Sequence, residues 1–284
     1  MLSYRHAFHA GNFADVVKHV GLVEILEALA RKPAPFFVLD THSGAGLYDL
    51  TVPPASTQRE FAEGIERVWA QADDAPATVH AYLDAVRSVQ TAGNGDRPRR
   101  YPGSPSLIRR TLREHDRLVC CELHPADFAA LRATLADDPR IELRHEDGYA
   151  ILAAILPPRE RRGLVLIDPA YERRDELERV QAGLTAGLRR FGHGTFALWY
   201  PITRSVPVAP WHAAIAASGM RKVLRAELCV RPDDHPLGLN GSGLLIVNPP
   251  YRTREALAES LAWLLPRLAP DGSGRSGVDW LVAE

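Results

Sequence analysis

The feature that most constrains the fold is a regular alternation of short apolar runs with helix-like stretches, which begins at residue 36. The apolar runs are FFVLD at 36–40, LVCCEL at 118–123, IELRH at 141–145, GLVLID at 163–168, TFALWYP at 195–201, KVLRAELCV at 222–230 and GLLIVN at 243–248. Alternation of this kind predicts parallel strands with helices on both faces of the sheet. No helix pattern separates the last two runs, so we expect them to pair as an antiparallel hairpin. The sequence therefore predicts an α/β fold with seven strands, of which only the last is reversed.

Two helical regions lie outside this alternation. Apolar residues spaced from Val16 to Leu29 predict a helix over 14–30, which Pro33 and Pro35 would stop. Residues 57–92 contain two more helix-like stretches, near 60–70 and 76–90, with no strand candidate between them. A Gly-, Pro- and Arg-rich connection follows at 91–105. We predict a core formed by residues 1–49 and 101–284, with a helical insertion at 50–100.

Composition excludes several classes of protein. A chain of 284 residues with 46% hydrophobic and 24% charged residues is neither disordered nor a disulfide scaffold. The formal net charge is −1, so any surface that binds nucleic acid must be local. The segment from Asp96 to Arg117 is a candidate, because it holds seven arginines against three acids. The alternative is that these arginines are ordinary solvated charges on a helix face.

Cysteine and histidine usage gives no indication of a metal site. Cys120, Cys121 and Cys229 are odd in number and sit in apolar runs, which is typical of buried thiols in a reducing compartment. His42 and His124 lack partners at metal-ligand spacing, so no metal is expected. The N-terminus lacks the apolar core of a signal peptide, and no apolar run reaches the roughly 18 residues that span a membrane. We expect a cytoplasmic protein with no membrane association.

Carboxylates and small polar residues follow the first four strands, at the edge where an open parallel sheet binds its ligands. In strand order they are Asp40, His42, Ser43, Gly44 and Gly46; Glu122; Asp147 and Gly148; and Asp168, Pro169 and Tyr171. The glycines alone could simply allow a tight turn. A carboxylate at Glu122 is placed to accept both ribose hydroxyls of an adenosine, and Asp147 could bind an adenine amino group or merely cap the next helix. The order of these residues favours a nucleoside cofactor.

The segment LVLIDPAY places a carboxylate, a rigid carbonyl and an aromatic ring together after a buried strand. Asp168 and the Pro169 carbonyl could accept hydrogens from the amino group of a planar base, and Tyr171 could stack on that base. The alternative is an Asp-Pro turn with Tyr171 packed in the core. A second candidate, VNPPY at 247–251, follows the reversed strand and so faces the opposite edge of the sheet. We interpret it as a structural turn.

The ordered set LSYRHAFHAGNFADVVKH, LDTHSGAG, YPGSP, ELHP, EDGY, IDPAY, ALWYP and SGLLIVNPPY closely resembles the bacterial 23S ribosomal RNA adenine-N(6) methyltransferase family over essentially the whole chain. This resemblance implies a class I S-adenosylmethionine-dependent methyltransferase core with an inserted helical subdomain. It also implies S-adenosyl-L-methionine as cofactor, S-adenosyl-L-homocysteine as product, and one adenine of 23S rRNA as substrate, in protein-free RNA or an early assembly intermediate. We expect a monomer.

The resemblance also implies roles for individual residues. The cofactor contacts would be Lys18, His19, His42, Ser104, Glu122, Asp147, Gly148 and Asp168, with Lys18 beside the cofactor carboxylate. Asp168 would be the catalytic acceptor, with Pro169 and Tyr171 in the same loop. Tyr4 and His6 would contact the substrate, so that residues 1–19 contribute to the site. For Tyr4, His6 and Lys18, the alternative is a helix-entry segment whose polar groups only cap and solvate.

One residue departs from the family pattern. Ala170 stands where the family usually has a second proline, and losing that ring frees φ and makes the loop less preorganised. Two other functions remain open. The first is methylation of DNA adenine or of a protein amide, by a related loop. The second is a non-catalytic role in handling nucleic acid, for instance in the use of external DNA, which only Ala170 supports.

Overall fold

The computed structural model describes residues 5–70, 72–91, 97–206, 208–232, 235–236 and 238–283. The helices are α1 (Phe13–Ala30), α2 (Ala55–Gln58), α3 (Ile65–Trp69), α4 (Ala77–Ser88), α5 (Ser104–Thr111), α6 (Pro125–Leu135), α7 (Gly148–Ile155), α8 (Glu176–Arg190), α9 (Val208–Ala217) and α10 (Thr253–Leu268). The strands are β1 (Phe37–Asp40), β2 (Leu47–Asp49), β3 (Arg100–Pro102), β4 (Arg117–Cys121), β5 (Ile141–Arg144), β6 (Gly163–Ile167), β7 (Thr195–Ile202), β8 (Val223–Cys229), β9 (Gly241–Val247) and β10 (Arg275–Val282).

The main sheet has the strand order β10-β8-β9-β7-β6-β1-β4-β5. Strands β5, β4, β1, β6 and β7 are parallel to their neighbours, and β9 inserts antiparallel between β7 and β8. The predicted hairpin of the last two apolar runs is therefore confirmed, as is the class I methyltransferase fold. The carboxyl ends of β1, β4 and β6 meet at one edge of the sheet.

The sheet contains one strand more than the predicted seven. Strand β10 pairs antiparallel with β8 at the edge of the sheet, so a second reversed strand is present. Its residues are exposed or half-buried, with Val278, Leu281 and Val282 packed against the core, so it lacks the continuous apolar run by which the other strands are predicted. Helix α10 is also absent from the prediction.

Helix α1 lies in the centre of the protein. Of its 18 residues 16 are buried, because it packs on β9 on one side and on α4, α5 and α10 on the other. A helix enclosed on all sides buries its polar residues as well. Asp15, Lys18 and His19 are consequently held at 2%, 4% and 1% exposure. The Asn12 side chain caps the helix by accepting a hydrogen bond from the Asp15 backbone N–H.

Helices α2, α3 and α4 lie between β2 and β3, which pair with each other as a separate two-stranded sheet. They occupy the region predicted to be a helical insertion. Phe61, Ile65 and Tyr82 belong to the same buried cluster as the apolar residues of α1. The division of the chain into a core and an insertion stays a prediction. None of the helices in the described ranges is long and apolar enough to cross a membrane.

Candidate active site

A cavity of about 460 Å³ lies at the carboxyl ends of β1, β4 and β6. Most of the predicted site residues line it, namely His6, Lys18, His19, His42, Ser104, Glu122, Asp147, Gly148, Asp168 and Pro169. Tyr171 is not among its lining residues, and Tyr4 lies outside the described residues. The structure thus brings together residues that are far apart in the chain, such as Lys18 and Asp168, which are 150 positions apart.

The turn after β1 is fixed to Glu122, at the end of β4. Gly44 adopts a φ of +60°, which glycine allows without strain, and a Cβ there would collide with the Tyr48 hydroxyl. The Gly44 N–H donates to Glu122 Oε2 at 2.8 Å, and the His124 N–H donates to Oε1 at 2.7 Å. Burial raises the pKa of Glu122, although these two hydrogen bonds oppose the shift. Each carboxylate oxygen keeps a second lone pair for a ligand.

Asp147 and Gly148 lie at the start of α7. Asp147 Oδ1 accepts the Tyr149 N–H at 2.9 Å, so the residue does cap the helix, and Oδ2 lies 3.1 Å from Arg179 Nη2. A Cβ on Gly148 would collide with the carbonyl oxygen of Thr41, so only glycine allows this close approach of α7 to the end of β1. Capping therefore occurs, and binding of adenine by Asp147 stays a prediction.

Two histidines on the wall of the cavity are held neutral. Burial lowers the pKa of His42 to about 4 and, together with the charge of Lys18, lowers that of His19 to about 3. His42 packs edge-on against Tyr149 with the ring centroids 5.1 Å apart. His19 Nδ1 lies 2.8 Å from the hydroxyl of Tyr101. Neutral imidazoles can donate or accept hydrogen bonds without adding positive charge to the cavity.

Asp40 and Ser104 are both buried and form a hydrogen-bonded pair at the carboxyl end of β1. Ser104 Oγ donates to Asp40 Oδ2 at 2.7 Å, while Asp40 Oδ1 has no hydrogen-bond partner among the described residues. Burial raises the pKa of Asp40 to about 7, against the hydrogen bond from Ser104. Ser104 is the first residue of α5, so this bond fixes the start of that helix next to β1.

Lys18 connects α1 to the end of β6. Its Nζ atom lies 2.6 Å from Asp168 Oδ2 and 2.8 Å from Asp15 Oδ1, and its side chain is 5% exposed. Burial would lower the pKa of Lys18, but the two carboxylates outweigh burial and raise it. The sequence did not predict this pairing. The contact between Lys18 and the cofactor carboxylate stays a prediction.

Asp15 also forms hydrogen bonds with two residues that precede α1. Besides Lys18, it accepts hydrogen bonds at 2.9 Å from His6 Nε2 and from the Gly11 N–H, both through Oδ2. Burial would raise the pKa of Asp15, but the charges of His6 and Lys18 outweigh it and hold the pKa well below its usual range. His6 therefore lies in the site and is connected to Asp168 through Asp15 and Lys18.

Tyr171 points away from the cavity. Its φ of +53° turns the chain after Ala170, its hydroxyl donates to the Trp199 carbonyl at 2.7 Å, and its ring packs against the apolar cluster on the other face of the sheet. The expectation that Tyr171 stacks on a base is not supported by this geometry. Trp199 does line the cavity, with Lys18 Nζ 5.8 Å from its ring centroid. Sequence reasoning missed Trp199, because nothing in ALWYP distinguishes it from a core residue.

The NPPY segment after β9 is a structural turn, as predicted. Because β9 is reversed, Asn248 lies at the edge opposite the cavity, where its Nδ2 donates to the carbonyls of Gly192 and Gly194 at 3.0 and 2.9 Å. Asn248 adopts a φ of +51°, and the neighbouring Tyr251 is 88% exposed.

Known proteins of similar sequence and structure match nearly the whole chain. The family model described as "Ribosomal RNA large subunit methyltransferase D, RlmJ" matches residues 33–282. The chain belongs to the RlmJ family. It is 43% identical to "Ribosomal RNA large subunit methyltransferase J" of Escherichia coli (strain K12) and 41% identical to the protein of that name from Haemophilus influenzae, in each case over all of both chains. The crystal structure of protein LPL1258 from Legionella pneumophila superimposes with a TM-score of 0.85 at 34% identity, covering 95% of this chain and 98% of the other.

Membership of the RlmJ family establishes that the protein is a methyltransferase. Within the described residues, no three His, Cys, Asp or Glu side chains are grouped in a way that could hold a metal ion. All three cysteines are buried. The cavity is lined by carboxylates, a buried ammonium and neutral imidazoles.

Proposed function

We propose that this RlmJ-family protein transfers a methyl group from S-adenosyl-L-methionine to the exocyclic amino group of one adenine in 23S ribosomal RNA. The relatives from E. coli and H. influenzae carry names that specify the large ribosomal subunit. The observation that carries the proposal is the Asp168 carboxylate, fixed by Lys18 at 2.6 Å on the wall of a cavity that Glu122 and Asp147 also line.

The described residues fit S-adenosylmethionine. Glu122 keeps one lone pair on each oxygen for the two ribose hydroxyls, and Gly148 lines the same cavity. Asp147 would accept the adenine amine, while Ser104, His19 and His42 would contact the methionyl end. The bound cofactor would supply an electrophilic methyl group on a sulfonium.

Asp168 and Pro169 would orient the substrate. The amino group of adenine is a poor nucleophile, because its lone pair is delocalised into the ring. Acceptors at Asp168 and at the Pro169 carbonyl would hold the amino hydrogens and align the nitrogen with the methyl group, and alignment of two bound reactants is the main source of rate acceleration. Asp168 would then take the proton that the nitrogen releases, which requires an ionised carboxylate. Lys18 fixes the carboxylate in one orientation.

Trp199 replaces Tyr171 as the aromatic residue available to the target base. It lines the cavity, and the ring of Tyr171 does not. Stacking of a flipped base on an aromatic side chain contributes about 1–3 kcal/mol. Tyr171 instead stabilises the loop that carries Asp168 and Pro169, because its hydroxyl donates a hydrogen bond to the Trp199 carbonyl.

The arginines of the segment 96–117 divide into two groups. Arg109, Arg113 and Arg117 form ion pairs with Asp138, Asp116 and Glu160, respectively. The exposed members, which have no ion pair with a described residue, are Arg97, Arg99, Arg100 and Arg110. Arg100 begins β3, which leads directly into the cavity-lining Gly103 and Ser104. We propose this second group as the phosphate contacts near the target adenine.

The test is methyl transfer from labelled S-adenosylmethionine to protein-free large-subunit RNA, assembled subunits and DNA, with the product mapped by mass spectrometry. We expect methyladenosine at one site in naked RNA, and loss of at least about a hundredfold in rate for Asp168→Asn. Asp137→Asn, an exposed carboxylate, is the matched control and should retain activity. Transfer to DNA alone, or a wild-type rate for Asp168→Asn, would contradict the proposal. Cofactor binding without transfer to any substrate would favour the non-catalytic role.

A further inference from the structure

The edge of the sheet opposite the cavity carries an excess of positive charge that the proposed function does not use. We define this basic edge as residues 31–36, 113–117, 159–162, 189–194, 220–222 and 248–254. These segments hold thirteen arginines and lysines against only three acids, Glu114, Asp116 and Glu160, in a chain whose net charge is −1. The charge of the protein is therefore strongly segregated, with the remainder of the chain acidic.

Hydrogen bonds join these segments into one surface. They link Arg113 Nη2 to the Ala34 carbonyl (3.0 Å), Arg162 Nη1 to the same carbonyl (2.5 Å), His193 Nε2 to the Arg161 carbonyl (2.8 Å), Asn248 Nδ2 to the Gly192 carbonyl (3.0 Å), and the Asn248 N–H to the Lys222 carbonyl (3.0 Å). All of these hydrogen bonds lie at the amino ends of the parallel strands or at the carboxyl end of β9. The surface therefore runs along one edge of the sheet.

Part of the charge on the basic edge stabilises the fold. Arg113 pairs with Asp116, and Arg117 pairs with Glu160. Other cations are exposed and have no ion pair with any described residue, namely Lys32, Arg161, Arg189, Arg221, Arg252 and Arg254. These side chains are available to a partner.

Favourable interactions with helix dipoles explain the positions of only some of these exposed cations. Helices α1, α8 and α9 end next to this edge, and cations such as Lys32 and Arg189 are favourable near helix C-termini. Arg252 and Arg254 lie instead at the N-terminus of α10, where the dipole disfavours a cation. A favourable interaction with the helix dipole therefore does not account for the charges of Arg252 and Arg254. Beside them, Tyr251 presents an aromatic ring that is 88% exposed.

We propose that the basic edge binds a second part of the RNA substrate, with its arginines on phosphates and Tyr251 stacked on an unpaired base. Exposed cations interleaved with an aromatic ring are the features by which proteins hold single-stranded nucleic acid. The inference rests on the proposed function only in taking RNA as the partner. The basic edge and the cavity are separated by the length of the strands, about 16 Å for the five residues of β6 plus the loops at both ends. Only an RNA that extends beyond the target adenine can reach both.

The experiment compares Arg221→Glu/Arg252→Glu with the wild type and with Arg87→Glu/Arg132→Glu, which makes the same change in charge away from the basic edge. Binding to protein-free large-subunit RNA is measured as a function of salt, and methylation is measured on that RNA and on a short stem-loop around the modified adenine. We expect the basic-edge variant to bind the long RNA about tenfold more weakly, with a salt slope smaller by about 1.4, because each lost phosphate contact to a single strand removes about 0.7. Methylation of the stem-loop should be unchanged. Tyr251→Ala should weaken binding to the long RNA without altering the salt slope.

Three results would overturn the inference. The first is long-RNA binding and a salt slope equal to those of the wild type. The second is an equal loss in Arg87→Glu/Arg132→Glu, which would show an effect of net charge alone. The third is a loss of binding to vesicles containing phosphatidylserine while RNA binding is unchanged, which would assign the surface to a membrane. A wild-type protein that methylates neither RNA would contradict the proposed function instead, and the binding comparison would still decide the role of the basic edge.

Discussion

Replacing Lys18 by methionine tests whether its ammonium holds the site together. The substitution keeps most of the length of the side chain and removes the charge that contacts Asp15 at 2.8 Å and Asp168 at 2.6 Å. Breaking a buried ion pair by removing one partner costs about 3–5 kcal/mol, because the other charge stays buried without compensation. Asp15 retains its hydrogen bonds from His6 and Gly11, so we expect the lower end, about 3 kcal/mol.

Thermal unfolding measures this loss. In a domain of this size each 1 kcal/mol lowers the Tm by about 2–4 °C, so Lys18→Met should unfold about 6–12 °C below the wild type at pH 7. The charge of Lys18 helps to depress the pKa of Asp15, and stability from a depressed carboxyl pKa is present above its ordinary value of 3.8. The difference in Tm should therefore persist at neutral pH and narrow only as the pH falls below about 4.

The exposed Lys32 provides a matched control, since Lys32→Met removes the same charge from the surface. The double variant Asp15→Asn/Lys18→Met should be more stable than the sum of the two single losses implies, because the residues are in direct contact. A Lys18→Met protein with the Tm of Lys32→Met would refute the conclusion that the ammonium stabilises the site.

Further predictions concern the cofactor contacts and the acceptor loop. Glu122→Gln should weaken binding of S-adenosylmethionine by about tenfold or more, measured by calorimetric titration, because an amide NH2 would face the N–H of Gly44 or His124; unchanged affinity would remove Glu122 from the site. Asp40→Asn should gain stability relative to the wild type as the pH rises from 4 to 7, because a carboxyl whose pKa is raised to about 7 favours the fold only while protonated; a pH-independent difference in Tm would contradict this. Ala170→Pro should change turnover by less than about tenfold in a single-turnover assay, and a change of orders of magnitude would show that the loop depends on the missing ring.

The buried parallel strands could be predicted from sequence, and the peripheral elements could not. The runs at 36–40 and 163–168 are continuous apolar segments, because both faces of β1 and β6 are covered. Strands β2 and β3 have three residues each, too few to show a period. No residue of strand β10 is fully buried, so its composition shows no continuous apolar run. Buried strands therefore carry a recognisable apolar pattern, whereas short or partly exposed strands do not.

In the site, the sequence predicted which strand ends matter but not how their side chains are arranged. Asp168 and Glu122 were found because the carboxyl ends of parallel strands must meet at one edge. The pairing of Lys18 with Asp168 joins residues 150 positions apart and depends on the packing of α1 against the sheet. The orientation of Tyr171 depends on its positive φ, which no residue type in IDPAY requires. The position of Trp199 on the cavity wall depends on the pairing of β7 with β6, which the sequence around Trp199 does not reveal.

The contacts of Asp168 and Tyr171 also explain why this chain can lack the second proline of the acceptor loop. A proline at 170 would restrict the loop by fixing one φ angle. Here the loop is held from both sides instead, since Lys18 binds the Asp168 carboxylate at 2.6 Å and the Tyr171 hydroxyl binds the Trp199 carbonyl at 2.7 Å. Ala170 lies between these two anchors, so the conformational freedom that the missing ring would release is already restricted by its neighbours. The substitution at 170 therefore agrees with a functional methyltransferase, and it gives no support to a protein in which the site has decayed.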